Sequence, residues 1–125
     1  AMILGEFHNI NLIVTGGEFK APTLSLTGKI AADSFKDLHA KKLFLATAGI
    51  SSSLMLTYPS ISDLIVKEAM IKSSEEIYLV ADSSKLDKSA LACLGPITLA
   101  QTFITDHNIS QSNIERLKET GIAIL

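Results

Sequence analysis

A length of 125 residues with 47% hydrophobic and 19% charged residues is typical of one folded domain and excludes an intrinsically disordered chain. The formal net charge of -2 and the scattered basic residues exclude the basic patch that nucleic-acid binding requires. No apolar run approaches the roughly 20 residues of a membrane span, and the N-terminus does not resemble a signal peptide, so we expect a cytoplasmic protein without membrane contacts.

In the first half of the chain, sequence patterns that predict strands alternate with one that predicts a helix. The β-branched run at residues 11–15 predicts a strand that ends in a tight turn at residues 16–17. Residues 23–27 alternate with period two and predict a second strand or an extended lead-in. Apolar residues recur at helical spacing over residues 30–38, and residues 43–46 then predict a buried strand.

The middle of the chain predicts one helix and two further strands. Ser60 is placed to cap a helix whose first turn contains Asp63. Residues 76–81 form a near-continuous apolar run, which is typical of a strand in a parallel sheet covered on both faces. Residues 102–105 repeat this pattern.

The last helix has clear boundaries in the sequence. Ser110 is placed as its N-cap and Gly121 lies in the C-cap position, and residues 122–125 follow as a final strand. Strands that alternate with helices of about ten residues imply βαβ units with right-handed crossovers. We therefore predict the α/β class, with a mainly parallel open sheet and helices on both faces, in a single domain over residues 1–125.

Four polar or glycine-containing segments follow or adjoin the predicted strands, where open α/β sheets bind ligands. These segments are residues 15–17, 48–51, 57–60 and 82–85. They supply glycines for close backbone approach, several hydroxyl groups and one cation, Lys85. This combination favours a phosphorylated small molecule over an apolar ligand.

The same residues also have purely structural interpretations. The glycine pair at residues 16–17 is more often only a turn. Lys67 follows Asp63 by four residues on a predicted helix, where an ordinary surface ion pair contributes about 0.3–0.5 kcal/mol. Asp82 could simply cap the turn that follows its strand.

Residues that commonly bind metals are spread along the chain. His8, His39 and His107 are far apart and show no metal-binding spacing, and Cys93 is the only cysteine. An intrachain disulfide and a cysteine-based metal site are therefore excluded, and we expect no metal and no cofactor.

Five motifs occur in register from about Asn11 to the end of the chain. They are Thr15-Gly-Gly17 with Gly28 behind it; Phe44-Leu-Ala-Thr-Ala-Gly-Ile50; Leu56-Thr-Tyr-Pro59 followed by Val66-Lys-Glu-Ala-Met70; Asp82-Ser-Ser-Lys85; and Phe103-Ile-Thr-Asp106. In their order and spacing they resemble the effector-sensing domain of DeoR-type bacterial transcriptional repressors.

This resemblance implies a fold similar to that of ribose-5-phosphate isomerase and coenzyme A transferases, and a ligand that is a phosphorylated sugar or a related metabolite. Lys85 and the turn before it would hold the anionic part of the ligand. The ligand-binding residues implied in this way are Asp82, Ser83, Ser84, Lys85, Lys67, Thr57, Gly49 and Gly17.

We therefore expect an effector-binding regulatory domain of a DeoR-type repressor, without catalytic residues, and with a tendency to form homo-oligomers. DNA would be contacted only through a helix-turn-helix domain that this chain does not contain. The alternative is a sugar-phosphate isomerase-like enzyme of the same fold, which needs a carboxylate base near the sugar carbons. The acids near the expected cleft are Asp63, Asp82 and Asp87. A third possibility is a scaffold that binds no effector and only dimerises.

Three places depart from the family pattern. Ser51 stands where an aspartate is usual, Leu54-Met55 replaces a glycine-containing turn, and Leu86-Asp87 replaces Phe-Gly. A carboxylate at Asp87 would repel a phosphate held close to Lys85. The family's sensor domain also opens with a strand and a Gly-Thr-Thr-type phosphate loop, so we expect this chain to be the later part of such a domain. Uncovered apolar surface or an open sheet edge would then favour self-association.

Overall fold

The computed structural model describes residues 1–21 and 23–125, and in these ranges it contains four α-helices and nine strands. The helices are α1 (Met2–Gly5), α2 (Gly28–Asp33), α3 (Ile61–Lys72) and α4 (Gln111–Lys118). The strands are β1 (Glu18–Lys20), β2 (Ser25–Thr27), β3 (Ala40–Leu45), β4 (Gly49–Ile50), β5 (Met55–Tyr58), β6 (Ser74–Val80), β7 (Ala92–Pro96), β8 (Thr102–Ile104) and β9 (Ala123–Ile124). Single 3₁₀ turns occur at Ser83–Lys85 and Ile97–Leu99.

Four strands form a parallel sheet in the order β3-β6-β8-β9. Strands β3 and β6 pair from Ala40 opposite Ser74 to Leu45 opposite Leu79. Helix α3 lies in the connection from β3 to β6, and α4 lies in the connection from β8 to β9. The predicted α/β class with a mainly parallel sheet is therefore confirmed.

This sheet buries one face more completely than the other. The alternate residues on the buried face are Leu43, Leu45, Ile77, Leu79 and Phe103. On the opposite face Phe44 is 63% exposed and stacks on the ring of Tyr78, and Val80 is 39% exposed. Burial along β6 thus alternates, whereas its apolar sequence predicted cover on both faces.

A second sheet, which the sequence did not predict, covers the buried face. It is antiparallel with the order β4-β5-β7. Ile50 on β4 and Leu56 on β5 are fully buried in the same core cluster as the residues of the parallel sheet. Strands as short as β4, which has only two residues, carry no periodic pattern that could be recognised in a sequence.

The predicted strand at residues 11–15 does not form. This segment has no regular secondary structure, and its apolar side chains Ile13 and Val14 are mostly exposed. A strand is stable only when a neighbour accepts and donates its main-chain hydrogen bonds, and no described strand pairs with this segment. The chain instead forms an antiparallel β1–β2 ribbon, with Glu18 opposite Thr27 and Lys20 opposite Ser25.

The two longest helices begin at their predicted N-caps, but α4 ends earlier than predicted, with Glu119 rather than Gly121 as its C-cap. The backbone N–H of Asp63 donates to Ser60 Oγ at the start of α3, and the N–H of Asn113 donates to Ser110 Oγ at the start of α4. Helix α2 is shorter than predicted because the chain turns after Asp33, where the hydroxyl of Ser34 donates to the carbonyl oxygen of Ile30. Within the described residues, no helix combines the length and hydropathy needed to span a bilayer.

Gly17 joins the ribbon closely to α2. Its φ is +120°, and a Cβ added there would lie 2.6 Å from the carbonyl oxygen of Thr27 and 2.9 Å from Cβ of Ala31. Gly121 also has a positive φ, +81°, but a Cβ there would meet no described atom within 4 Å. Substitution of each glycine therefore distinguishes the cost of backbone strain, which both positions share, from the cost of steric overlap, which arises only at Gly17.

We predict that Gly17→Ala lowers the free energy of unfolding by roughly 2–5 kcal/mol, because left-handed strain and overpacking add together. Gly121→Ala should cost only the strain, about 1–2 kcal/mol. Urea denaturation of both variants measures the difference. Equal losses would mean that the close approach at Gly17 does not constrain the fold.

Candidate functional site

A cavity of about 720 Å³ lies between the β1–β2 ribbon, the segment after β3, and helix α3. Its described lining residues are Phe19, Lys20, Ala21, Thr23, Ser25, Leu26, Thr27, Ala46, Thr47, Ala48, Tyr58, Pro59, Asp63, Val66 and Lys67. A volume of this size accommodates a ligand of a few hundred daltons. The cavity lies at the carboxyl end of β3, where the sequence predicted a ligand.

Most of the hydroxyl groups on this wall are already used by the protein. Tyr58 OH donates to the carbonyl oxygen of Ala46 at 2.7 Å, and burial raises the pKa of Tyr58, so that its phenol stays neutral. Thr47 Oγ1 lies within hydrogen-bond distance of the carbonyl oxygens of Gly49 and Thr57. These contacts fix the wall and leave the charged residues as the groups most able to orient a ligand.

Lys67 is the predicted ligand-binding residue that lines this cavity. It is partly buried on α3, and its Nζ lies 5.9 Å from the ring centroid of Tyr58. Burial lowers the pKa of Lys67, and the nearby charge of Asp63 opposes that shift. Among the residues described, none accepts a hydrogen bond from its ammonium group or forms an ion pair with it. The predicted surface pair with Asp63 is thus absent, and Lys67 is a partly desolvated cation that faces open space.

Asp63 is instead engaged by Lys20, which the sequence analysis missed. Lys20 Nζ lies 2.9 Å from Ser60 Oγ, 3.0 Å from Ser62 Oγ and 3.5 Å from Asp63 Oδ2. These contacts fasten the ribbon to the first turn of α3. Lys20 is 40 to 43 positions from its partners in the sequence, so only its place three residues after the Gly-Gly turn could have drawn attention to it.

Three other predicted site residues have structural contacts in the fold. Thr57 is buried, and its Oγ1 donates to the carbonyl oxygen of Gly49 and accepts from the N–H of Ala90. A Cβ at Gly49 would lie 2.6 Å from the carbonyl oxygen of Lys88. Gly17 packs against α2 as described above. The lining of the cavity, as far as the structure describes it, includes none of these three residues.

The predicted anion-binding segment Asp82–Lys85 forms a turn at the end of β6. Asp82 accepts a hydrogen bond from the N–H of Ser84 at 2.9 Å, so it caps the turn that follows its strand. This is the purely structural role considered for Asp82 in the sequence. Lys85 is partly buried, and the 720 Å³ cavity is not lined by any of the residues Asp82, Ser83, Ser84 and Lys85. Their role in binding an anion remains a prediction.

Asp106, at the end of β8, holds this turn in place. Its Oδ1 accepts from the N–H of Ser83 at 2.6 Å, and its Oδ2 accepts from the side-chain amide of Asn108 at 2.7 Å. Both hydrogen bonds hold the pKa of Asp106 well below its usual range, and the bond from Ser83 has the larger effect. Hydrogen bonding to Ser84 likewise lowers the pKa of Asp82.

Two of the three departures from the family pattern lie where the backbone has a positive φ. Leu54 and Asp87 occupy places where glycine or a glycine-containing turn is usual, and both have a positive φ, of 58° and 56°. Glycine adopts this conformation without strain, which accounts for the usual preference. Asp87 Oδ1 lies 2.8 Å from Arg116 Nη2, so a cation from α4 already compensates the carboxylate that was expected to repel a phosphate.

The described residues contain no group of three or more side chains able to hold a metal ion. His8 and His107 are exposed, and His39 Nε2 lies 2.7 Å from Glu75 on the surface. Cys93 is an exposed free cysteine on β7.

Comparison with known proteins decides the family. A model of the DeoR C terminal sensor domain matches residues 1–107. The chain belongs to this family. The match covers the cavity, both lysines that line it and the turn that carries Lys85.

Named relatives of the DeoR sensor domain agree with this assignment. The lactose phosphotransferase system repressor of Lactococcus lactis is 25% identical over 94% of this chain and 46% of its own length. The HTH-type transcriptional regulator GlpR of Haloferax volcanii is 27% identical over 100% of this chain and 49% of its own length. A putative aga operon transcriptional repressor of Escherichia coli O157:H7 is 26% identical over 100% of this chain and 46% of its own length. The chain thus spans about half the length of these relatives.

We predict that Asp106→Asn weakens the acid dependence of stability. A carboxylate with a lowered folded pKa contributes stability that is fully present above its unfolded pKa of about 3.9 and is lost as the pH falls through the folded pKa. The wild-type chain should therefore lose more melting temperature between neutral pH and about pH 2 than the variant. Melting curves across this range provide the measurement. Identical pH profiles would exclude Asp106 as the charge that holds the turn.

Proposed function

We propose that this chain is the effector-binding part of a DeoR-type transcriptional repressor and that its 720 Å³ cavity takes a phosphorylated sugar or a related metabolite. Family membership supports the regulatory role. The size of the cavity and the unpaired ammonium group of Lys67 in its lining support a small ligand that carries an anionic group.

The single observation that carries this proposal is that the ammonium group of Lys67 is partly buried in the cavity lining without a hydrogen-bond or ion-pair partner among the described residues. A partly buried ammonium group without a hydrogen-bond or ion-pair partner is costly, because burial removes water and only the face of the Tyr58 ring, 5.9 Å away, partly replaces it. An anionic ligand would supply the missing partner and restore the pKa of Lys67. Such a charge-assisted contact is strongest where water is partly excluded, as it is here.

The names of the relatives support a link to sugars and to transcription. One relative is named for repression of a lactose phosphotransferase system, and two others are named as HTH-type regulators. The net charge of -2 and the scattered basic residues of this chain do not favour DNA binding. We therefore propose that a helix-turn-helix domain of the complete protein contacts the operator.

Effector binding would change DNA affinity through a thermodynamic coupling. The effector must bind one arrangement of the protein better than another, and the difference in affinity limits the size of the response. The ribbon that covers the cavity is the element on which such a difference could act, since seven of its residues line the cavity.

An isomerase of this fold is the less favoured alternative. It needs a carboxylate base that is free to take a proton from a sugar carbon. Among the described lining residues the only carboxylate is that of Asp63, which is held by Lys20 and by the hydroxyl of Ser60. This engagement and the family assignment favour a regulator over an enzyme.

We predict that Lys67→Met abolishes most of the binding of phosphorylated sugars. Charge-assisted hydrogen bonds contribute about 1.5–3 kcal/mol, so the affinity should fall roughly tenfold or more. The measurement is a thermal-shift screen with ribose 5-phosphate, fructose 6-phosphate and related compounds, followed by calorimetric titration of those that raise the melting temperature.

Lys72→Met is the matched control, because Lys72 lies on the same helix but is exposed and does not line the cavity. Without ligand, Lys67→Met should melt no lower than the wild-type chain, because it removes an unpaired, partly buried charge. Equal affinities for the wild-type chain and Lys67→Met would contradict the proposal.

Lys85 provides a separate prediction from the family resemblance. If the turn at Ser83–Lys85 holds the anionic group, Lys85→Ala should weaken binding roughly tenfold while leaving the melting temperature unchanged. Lys88→Ala is the control, since Lys88 is an exposed lysine of the same loop. Comparison of the Lys67 and Lys85 variants shows which cation holds the phosphate.

A further inference from the structure

Three charged side chains line the described part of the cavity, and they differ in how they are held. Lys67 has no protein partner among the described residues, whereas Lys20 and Asp63 contact each other. The lining therefore offers one free cation and one compensated pair. These two parts make different demands on a ligand.

The compensated pair is rigidly held. Asp63 Oδ2 accepts from Ser60 Oγ at 2.6 Å, and its side chain is only 14% exposed. Lys20 makes two further hydrogen bonds, to the hydroxyls of Ser60 and Ser62. Both groups are therefore held in place, while Asp63 Oδ1, which accepts no hydrogen bond among the described residues, stays available to a ligand hydroxyl.

The small size of the cavity brings every ligand atom close to Asp63. A volume of about 720 Å³ corresponds to a width of about 9 Å if the space were a cube, which is close to the Debye length of about 8 Å at physiological ionic strength. At this distance salt weakens the interaction between Asp63 and a second anionic group without abolishing it, and the screening is weaker than at the surface because the Asp63 side chain is only 14% exposed.

We propose that Asp63, held by Lys20, is a specificity-determining residue that restricts the effector to one anionic group and favours hydroxyl groups beside it. This inference rests on the proposed function, in which Lys67 takes the first anionic group. A sugar hydroxyl near the pair can donate to the carboxylate, whereas a second phosphoryl group finds no uncompensated cation, because the charge of Asp63 offsets that of Lys20.

Substitution of Asp63 tests the proposal directly. Asp63→Asn removes the charge and keeps the shape, and calorimetry would compare fructose 6-phosphate with fructose 1,6-bisphosphate, and inorganic phosphate with pyrophosphate. We expect the affinity for the doubly anionic member of each pair to rise roughly tenfold, and that for the singly anionic member by less than about threefold.

Asp33→Asn is the matched control. Asp33 carries the same charge and is paired with Lys29 and Lys36, but it lies outside this cavity. It should leave the preference between the paired probes unchanged within about twofold. Asp63→Glu, which keeps the charge, should retain most of the wild-type preference.

Lys20→Met gives an independent measurement with the opposite sign. Without Lys20 the charge of Asp63 is uncompensated, so all anionic probes should bind more weakly and the doubly anionic ones most of all. Melting curves and the circular dichroism of each variant show whether the start of α3 is retained. If Asp63→Asn does not fold, the Asp63→Glu and Lys20→Met variants decide the question.

The outcomes separate the two proposals. If the wild-type chain binds fructose 6-phosphate or phosphate through Lys67, but Asp63→Asn shifts the preference no more than Asp33→Asn does, the role of Asp63 is wrong and the proposed function stands. If no probe binds the wild-type chain or any variant, both proposals fail together.

Discussion

The parallel pairing of β3 with β6 is the constraint on which the candidate site depends. The register that sets Leu45 opposite Leu79 brings the carboxyl ends of both strands to the same edge of the sheet. The wall segment Ala46–Ala48 leaves this edge from β3, and the Asp82–Lys85 turn leaves it from β6. Strand β4 links the two regions, because Ile50 bridges to Leu86 and accepts from the N–H of Lys88.

Two kinds of charge meet at this edge, and their environments differ. The exposed carboxylate of Asp82 and the half-buried carboxylate of Asp106 accept backbone N–H groups, so their charge stabilises the turn that carries Lys85. Lys67 is a partly buried cation without such compensation. The first arrangement is complete without a ligand, whereas the second would be completed by the anionic ligand that we propose. This difference is the reason why we propose Lys67 as the anion contact.

Local signals in the sequence predicted much of the fold correctly. Ser60 and Ser110 are N-caps because their hydroxyls accept a backbone N–H three residues later, which is a local interaction. The apolar runs that predicted β3 and β6 are likewise local, although the structure buries one face of β6 more completely than its continuous run predicted. The strand predicted at residues 11–15 failed because its formation depends on a partner strand, which no local pattern reveals. The β4-β5-β7 sheet was missed for the same reason.

The amino-acid pattern was enough to predict the α/β class, the N-caps of the two longest helices and the resemblance to a sensor domain, and that resemblance implied that Lys67 lines the cleft. The tertiary structure alone decided that Lys67 faces open space, that Asp63 pairs with Lys20 rather than with Lys67, and that Asp87 is compensated by Arg116. Each of these depends on which side chains the fold brings within about 4 Å, and ion pairs between distant positions leave no periodic trace in a single sequence.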